Sequence, residues 1–132
     1  MASAYTDAGI ELIGLGEQAN TWGQTTNTNW RLIEKLATGV TSISLNGLAS
    51  YTLAMTPGAM SEGRSYVIEF TGLPGSTCTI TVNPDTAEKV YILTNNTDQL
   101  LLITQGSGGD VEIPVGVTKI IYCNGAGSSA KV

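Results

Sequence analysis

The sequence predicts a mainly β protein: an antiparallel β-sandwich or barrel-like domain, preceded by an extended N-terminal arm and one short helix. Three observations carry this. Short apolar blocks recur after residue 39 at intervals of roughly 10–12 residues, with Gly, Pro and Asn between them. Several blocks alternate apolar and polar residues, the period of a half-buried strand. Only residues 30–37 carry the three-and-four spacing of a helix. The chain therefore divides into an arm with a helix over residues 1–39, suited to attachment or oligomerisation, and a β-sandwich domain over 40–132. At 132 residues it is long enough for one domain with its own core.

Taken in order, residues 1–19 hold no sustained period, and IELIGLG (10–16), broken by Gly14 and Gly16, suits an extended arm. Residues 20–29 are polar and turn-forming. Asn27, Thr28 or Asn29 can cap a helix starting next to them, because a side-chain oxygen there can accept from the free N–H groups of a first helical turn. Trp30, Ile33, Leu36 and Ala37 form an apolar stripe, and Gly39 supplies a stop signal, giving one helix over about 29–38. Strands come next at TSISL (41–45), YTLAM (51–55), SYVIEF (65–70), CTITV (78–82), KVYILTN (89–95), QLLLIT (99–104), VEI (111–113) and TKIIYC (118–123). Ile68 and Phe70 share one face with Tyr66, and Cys78, Ile80 and Val82 share another. The glycines of QGSGGD (105–110) read as a hairpin turn needing positive φ. NGAGSSAKV at the end reads as a frayed terminus, and no clear repeat is visible.

Composition narrows the function classes. Charged residues are 13% of the chain, the net charge is −5, and six basic residues are scattered, so no basic stripe exists to meet a phosphate backbone. No nucleic-acid or membrane partner is expected, since no apolar run reaches bilayer-spanning length. The first residues lack the basic start and continuous apolar segment of a signal peptide, so synthesis in a cytoplasm is expected. Cys78 and Cys123 sit inside apolar strands and read as buried thiols.

Chemistry finds little to work with. The chain has no histidine, which removes Ser-His-Asp and Cys-His catalysis and histidine-ligated metals. Glu62 with Glu69, Asp85 with Glu88, and Asp110 with Glu112 are the candidate carboxylate pairs for a glycosidase, but a domain this small offers little room for a substrate cleft and loop carboxylates are usually just solvated. QGSGGD lacks the Lys-Ser/Thr ending of a phosphate loop. The expectation is a protein that is not an enzyme, with no catalytic residues, cofactor or metal.

The tyrosines leave a carbohydrate-binding β module as the alternative, with Tyr5, Tyr51 or Tyr91 exposed on one platform. Strands KVYILT and QLLLIT are apolar on both faces, which fits either a central place in a sandwich covered by the arm or an oligomer interface.

The stretch ELIGLGEQANTWGQTTNTNWRLIEKLATG sharpens this. Its apolar-plus-Gly approach (Leu12 to Gly16), Thr21-Trp22-Gly23, Asn27-Thr28-Asn29 and helix to Gly39 resemble an N-terminal segment of tailed-phage virion proteins, especially fibre-like proteins of marine and cyanobacterial phages. GRSYVIEFTG, CTITV, KVYILTN and TKIIYCNG are similar to strands that come after it there. The resemblance implies a virion location, trimers, and attachment to a capsid or tail protein. Fibre-like proteins with this start usually continue further, which favours a short decoration (cement) or fibre-anchoring module. The residues expected to anchor it are Leu12, Leu15, Trp22, Asn27, Asn29, Trp30, Ile33 and Leu36.

Overall fold

The computed structural model describes residues 4–6, 9–56 and 58–132. Two short strands, β1 (Ala4–Tyr5) and β2 (Glu11–Leu12), pair antiparallel in the arm. A turn with Gln18 and Asn20 at positive φ leads into helix α1 (Trp22–Thr38). The helix therefore begins well before the position expected for it, and the Asn27–Asn29 run is helix interior, not a cap. Thr21 occupies the cap position without a side-chain capping bond, its hydroxyl donating instead to the Gln18 carbonyl at 3.3 Å, and the Trp22 N–H donates to the same carbonyl at 2.9 Å. Thr and Asn are poor helix formers. Here contacts to the arm hold them helical: Asn29 bonds to Glu11, and the Thr25 hydroxyl to the Gln18 side chain. The helix ends where Gly39 turns to extended backbone with its N–H still donating to the Lys35 carbonyl, a position where a Cβ would meet that oxygen at 2.6 Å.

The β body has eight strands: β3 (Val40–Ser44), β4 (Ser50–Ala54), β5 (Val67–Thr71), β6 (Cys78–Asn83), β7 (Glu88–Asn95), β8 (Leu101–Thr104), β9 (Val111–Ile113) and β10 (Thr118–Asn124). They form two four-stranded sheets, ordered β10-β7-β5-β3 and β4-β6-β8-β9. Both sheets are mixed. Parallel pairs join β3 to β5, β5 to β7, β4 to β6 and β6 to β8, while β7–β10 and β8–β9 are antiparallel. The antiparallel expectation thus holds only for the last strands.

The reason lies in the connections. From β3 to β8 each short link carries the chain across to the opposite sheet, so strands two apart in sequence become neighbours. Val40 lies beside Val67 and Val67 beside Ile92; Tyr51 lies beside Ile80 and Ile80 beside Ile103. The chain winds as a coil although its sequence shows no repeat. The crossing turns stack as well: Asn46 Oδ1 accepts from the Leu73 N–H at 2.8 Å, and the Asn96 N–H donates to the Phe70 carbonyl at 2.8 Å.

One apolar cluster lies between the sheets, built from Ile43 and Leu53, Ile68 and Phe70, Cys78, Ile80 and Val82, Tyr91 and Leu93, Leu101 and Ile103, Ile113, Ile121 and Cys123. Both cysteines are free and buried. Asn95 closes the β7 end of this core, its amide donating to the Gln99 and Ile113 carbonyls at 2.8 Å each. The C-terminal segment is docked and not frayed. Ala130 is buried, the Val132 N–H donates to the Gly109 carbonyl at 3.0 Å, and Asn124 Oδ1 accepts from Ala126 and Lys131. The glycines of the loop after β8 also differ from expectation. Gly106, Gly108 and Gly109 do not appear at positive φ; Gly106 and Gly108 are small because residues 127–131 pack directly on them.

Candidate attachment surface

Helix α1 meets the rest of the molecule through a narrow strip. Leu32 is its one fully buried side chain, and Leu36 and Asn29 are half-buried beside it. Asn29 clamps the arm: the Glu11 N–H donates to its Oδ1 at 3.1 Å and its Nδ2 donates to the Glu11 carbonyl at 2.9 Å. This pair of bonds mimics one rung of a β ladder with a side chain. Arg64, fully buried, ties the next layer, donating to the Ala59 carbonyl at 2.8 Å and to the Thr56 and Gly9 carbonyls. Burial lowers its pKa, while the neighbouring Tyr91 raises it. In the sequence it is one more scattered base, and nothing in its local pattern marks it as buried.

The flank of the helix next to this strip carries its other predicted anchors. Trp22, Trp30 and Ile33 fall on one face by their eight- and three-residue spacing, and all three are exposed, the tryptophans 60% and 65%. Thr26 and Ala37 share the face. Leu12 is exposed in the arm, and Leu15 is 100% exposed at its turn. Asn27 is exposed and points to no described partner. The eight residues therefore separate. Leu12, Leu15, Trp22, Trp30 and Ile33 present apolar surface outward, Asn29 and Leu36 hold the helix inward, and Asn27 does neither.

A groove of ≈ 370 Å³ runs between the helix C-terminal half and the start of β3, lined by Arg31, Glu34, Lys35, Val40 and Met60 among others. Beside it, the outer face of the first sheet shows a row of aligned apolar residues, Val40–Val67–Ile92–Ile120, with Val40 and Ile120 strongly exposed. Val90 and Tyr122 extend the row. This is the second apolar face of β7 seen in the sequence, and the arm does not cover its ends.

The tyrosines do not make a platform. Tyr91 is fully buried and donates to the Gly63 carbonyl, Tyr51 packs against the core, and Tyr5 lies beside Gly58. Among the described residues no group of three or more His, Cys, Asp or Glu side chains is arranged to hold a metal, and no helix is long and apolar enough to cross a membrane. Comparison of the chain with protein-family models, curated proteins and solved structures gives no match.

Proposed function

We propose that this chain is a non-enzymatic structural protein of a tailed-phage virion, trimeric, and attached to a capsid or tail protein through its N-terminal segment. Its role is decoration of the capsid or anchoring of a fibre. The observation that carries the reading is the exposed row Trp22, Trp30 and Ile33 on a helix whose neighbouring strip, Leu32, Leu36 and Asn29, is already committed to the molecule. An isolated domain gains nothing from two tryptophans in water. Buried against a partner, each aromatic anchor contributes about 2–4 kcal/mol. Leu12 and Leu15 add apolar area beside them, and Asn29 fixes the arm to the helix so that both are presented together.

The test is incorporation into particles. Trp22→Ala and Trp30→Ala, alone and together, are expected to fold as the wild type does, since both side chains are exposed, and to lose incorporation. If the double variant assembles onto particles at the wild-type level, the reading is wrong.

A further inference from the structure

The coil has two ends, and they differ. At the far end the outermost strands are β9 and β10. There Lys119 Nζ reaches across to the Glu112 carbonyl at 2.8 Å, and the Asn124 N–H donates to the Lys131 carbonyl at 3.2 Å. A lysine and a docked tail on outer strands are the devices that keep sheet edges from pairing with other chains. At the near end the outermost strands are β3 and β4.

Their ladders fix which backbone groups are used. The Gly39 carbonyl accepts from Val67 and the Leu45 N–H donates to Thr71, so residues 41 and 43 also face β5. Val40, Ser42 and Ser44 then turn their N–H and C=O groups away from the sheet. In β4 the Ala49 carbonyl accepts from Thr79 and the Met55 N–H donates to Asn83, which turns Ser50 and Thr52 outward in the same way. No described residue supplies these outward groups with a hydrogen bond. Neither strand contains proline, and the sequence from Leu36 to Ser61 contains no Asp, Glu, Lys or Arg.

We infer that this β3/β4 edge pairs with the same edge of a second copy of the chain. Two edges, one from each sheet, lie open at one end of the coil. A single extended peptide would satisfy only one of them, whereas a second copy offers a matching pair. Pairing between copies also brings like segments together, so a charge there would face its own kind; 26 consecutive neutral residues around both strands meet that condition. The join continues both sheets, either β3 on β3 across a two-fold axis or β3 on β4 of the next copy in a ring. The inference stands apart from the particle reading, and the ring form is the one a trimer uses.

Mass in solution and amide exchange test it together. The wild-type chain is expected to sediment as a multimer, with the N–H groups of Ser42, Ser44, Ser50 and Thr52 exchanging at least about 100-fold slower than unpaired amides. Ser42→Lys with Thr52→Lys changes only exposed side chains, and is expected to give single copies in which those amides exchange freely. A chain that remains a single copy at about 100 μM, far above the working range of specific interfaces, overturns the inference. So does a multimer whose four amides are unprotected, and because that result needs only the wild type, it decides even if the lysine variant does not fold. Self-association through the helix row would give that second outcome and leave the proposed function standing.

Discussion

Lys89 shows at the scale of one residue what the alternation of a strand can and cannot say. Its position in β7 is an inward one, and its ammonium is buried between the rings of Tyr66 and Tyr91, 5.3 and 4.4 Å from their centres. It donates to the Val90 carbonyl at 2.8 Å, and Cys123 stands opposite on β10. Burial pulls its pKa down to about 8, with Cys123 acting to raise it, and burial pushes Cys123 up to about 11. Between pH 8 and the ordinary lysine value of 10.5, the unfolded chain holds a proton that the folded chain has released, so the Lys89 contribution to stability rises with pH. Below that window both states are protonated and the folded state carries the whole cost of the buried charge. Cys123 works in the other sense between 9.0 and about 11, and Tyr91, also raised by burial, does so at higher pH. Lys89→Met keeps both opposing groups. Urea unfolding of wild type and variant side by side is therefore expected to show the wild type gaining on the variant as pH rises from about 7.5 to about 9.5. A constant gap would mean that burial does not disfavour the ammonium.

At the scale of the element, α1 is held to the β body more sparsely than the central strands are held to one another. One buried leucine and one asparagine clamp do most of its docking, whereas each central strand is bonded on both sides. Both tryptophans of the chain lie in this helix, so their fluorescence reports on it alone, while thiol labelling of the buried Cys78 and Cys123 reports on the sheets. In dilute solution the fluorescence midpoint in urea is expected about 0.5–1 M below the sheet midpoint, as for a unit that opens before the whole. Asn29→Ala should widen the interval by loosening the arm without moving the sheet transition. Coincident transitions in both proteins would show that the helix and sheets unfold as one. The sequence revealed the second half of this helix through Trp30, Ile33 and Leu36. It hid the first half, because Thr25 and Asn29 become helical only through partners in the arm, at Gln18 and Glu11.

For the whole molecule, the C-terminal segment and the winding of the strands decide how the core is closed. Residues 127–131 lie on the loop after β8, and a Cβ at Gly108 would stand 2.6 Å from Lys131 Cβ and 2.7 Å from the Ala130 carbonyl oxygen. Its neighbour Gly109 has nothing within 4 Å. Gly108→Ala is expected to destabilise by about 1–3 kcal/mol, and Gly109→Ala by no more than about 0.5 kcal/mol, compared as urea midpoints. Equal effects would mean that the segment is not seated on the loop. Lys119 and the tail lie on the β9/β10 edge, and β3 and β4 are the outermost strands at the other end of the coil.

The residue pattern alone determined where the eight body strands lie and which apolar side chains of the alternating strands share the inward face. Period-two burial of Cys78, Ile80 and Val82, or of Leu101 and Ile103, is a local consequence of one face meeting a core. It also placed the tryptophans beside a helix and left them without chemistry to perform. Strand pairing was beyond its reach, because a strand with one buried face alternates in the same way whether its neighbour runs parallel or antiparallel. Only the tertiary structure decided that the links after β3 and β5 cross between sheets, that Asn29 clamps Glu11, and that Arg64 and Lys89 lie inside. Those outcomes depend on contacts between residues far apart in the chain, which no local period records.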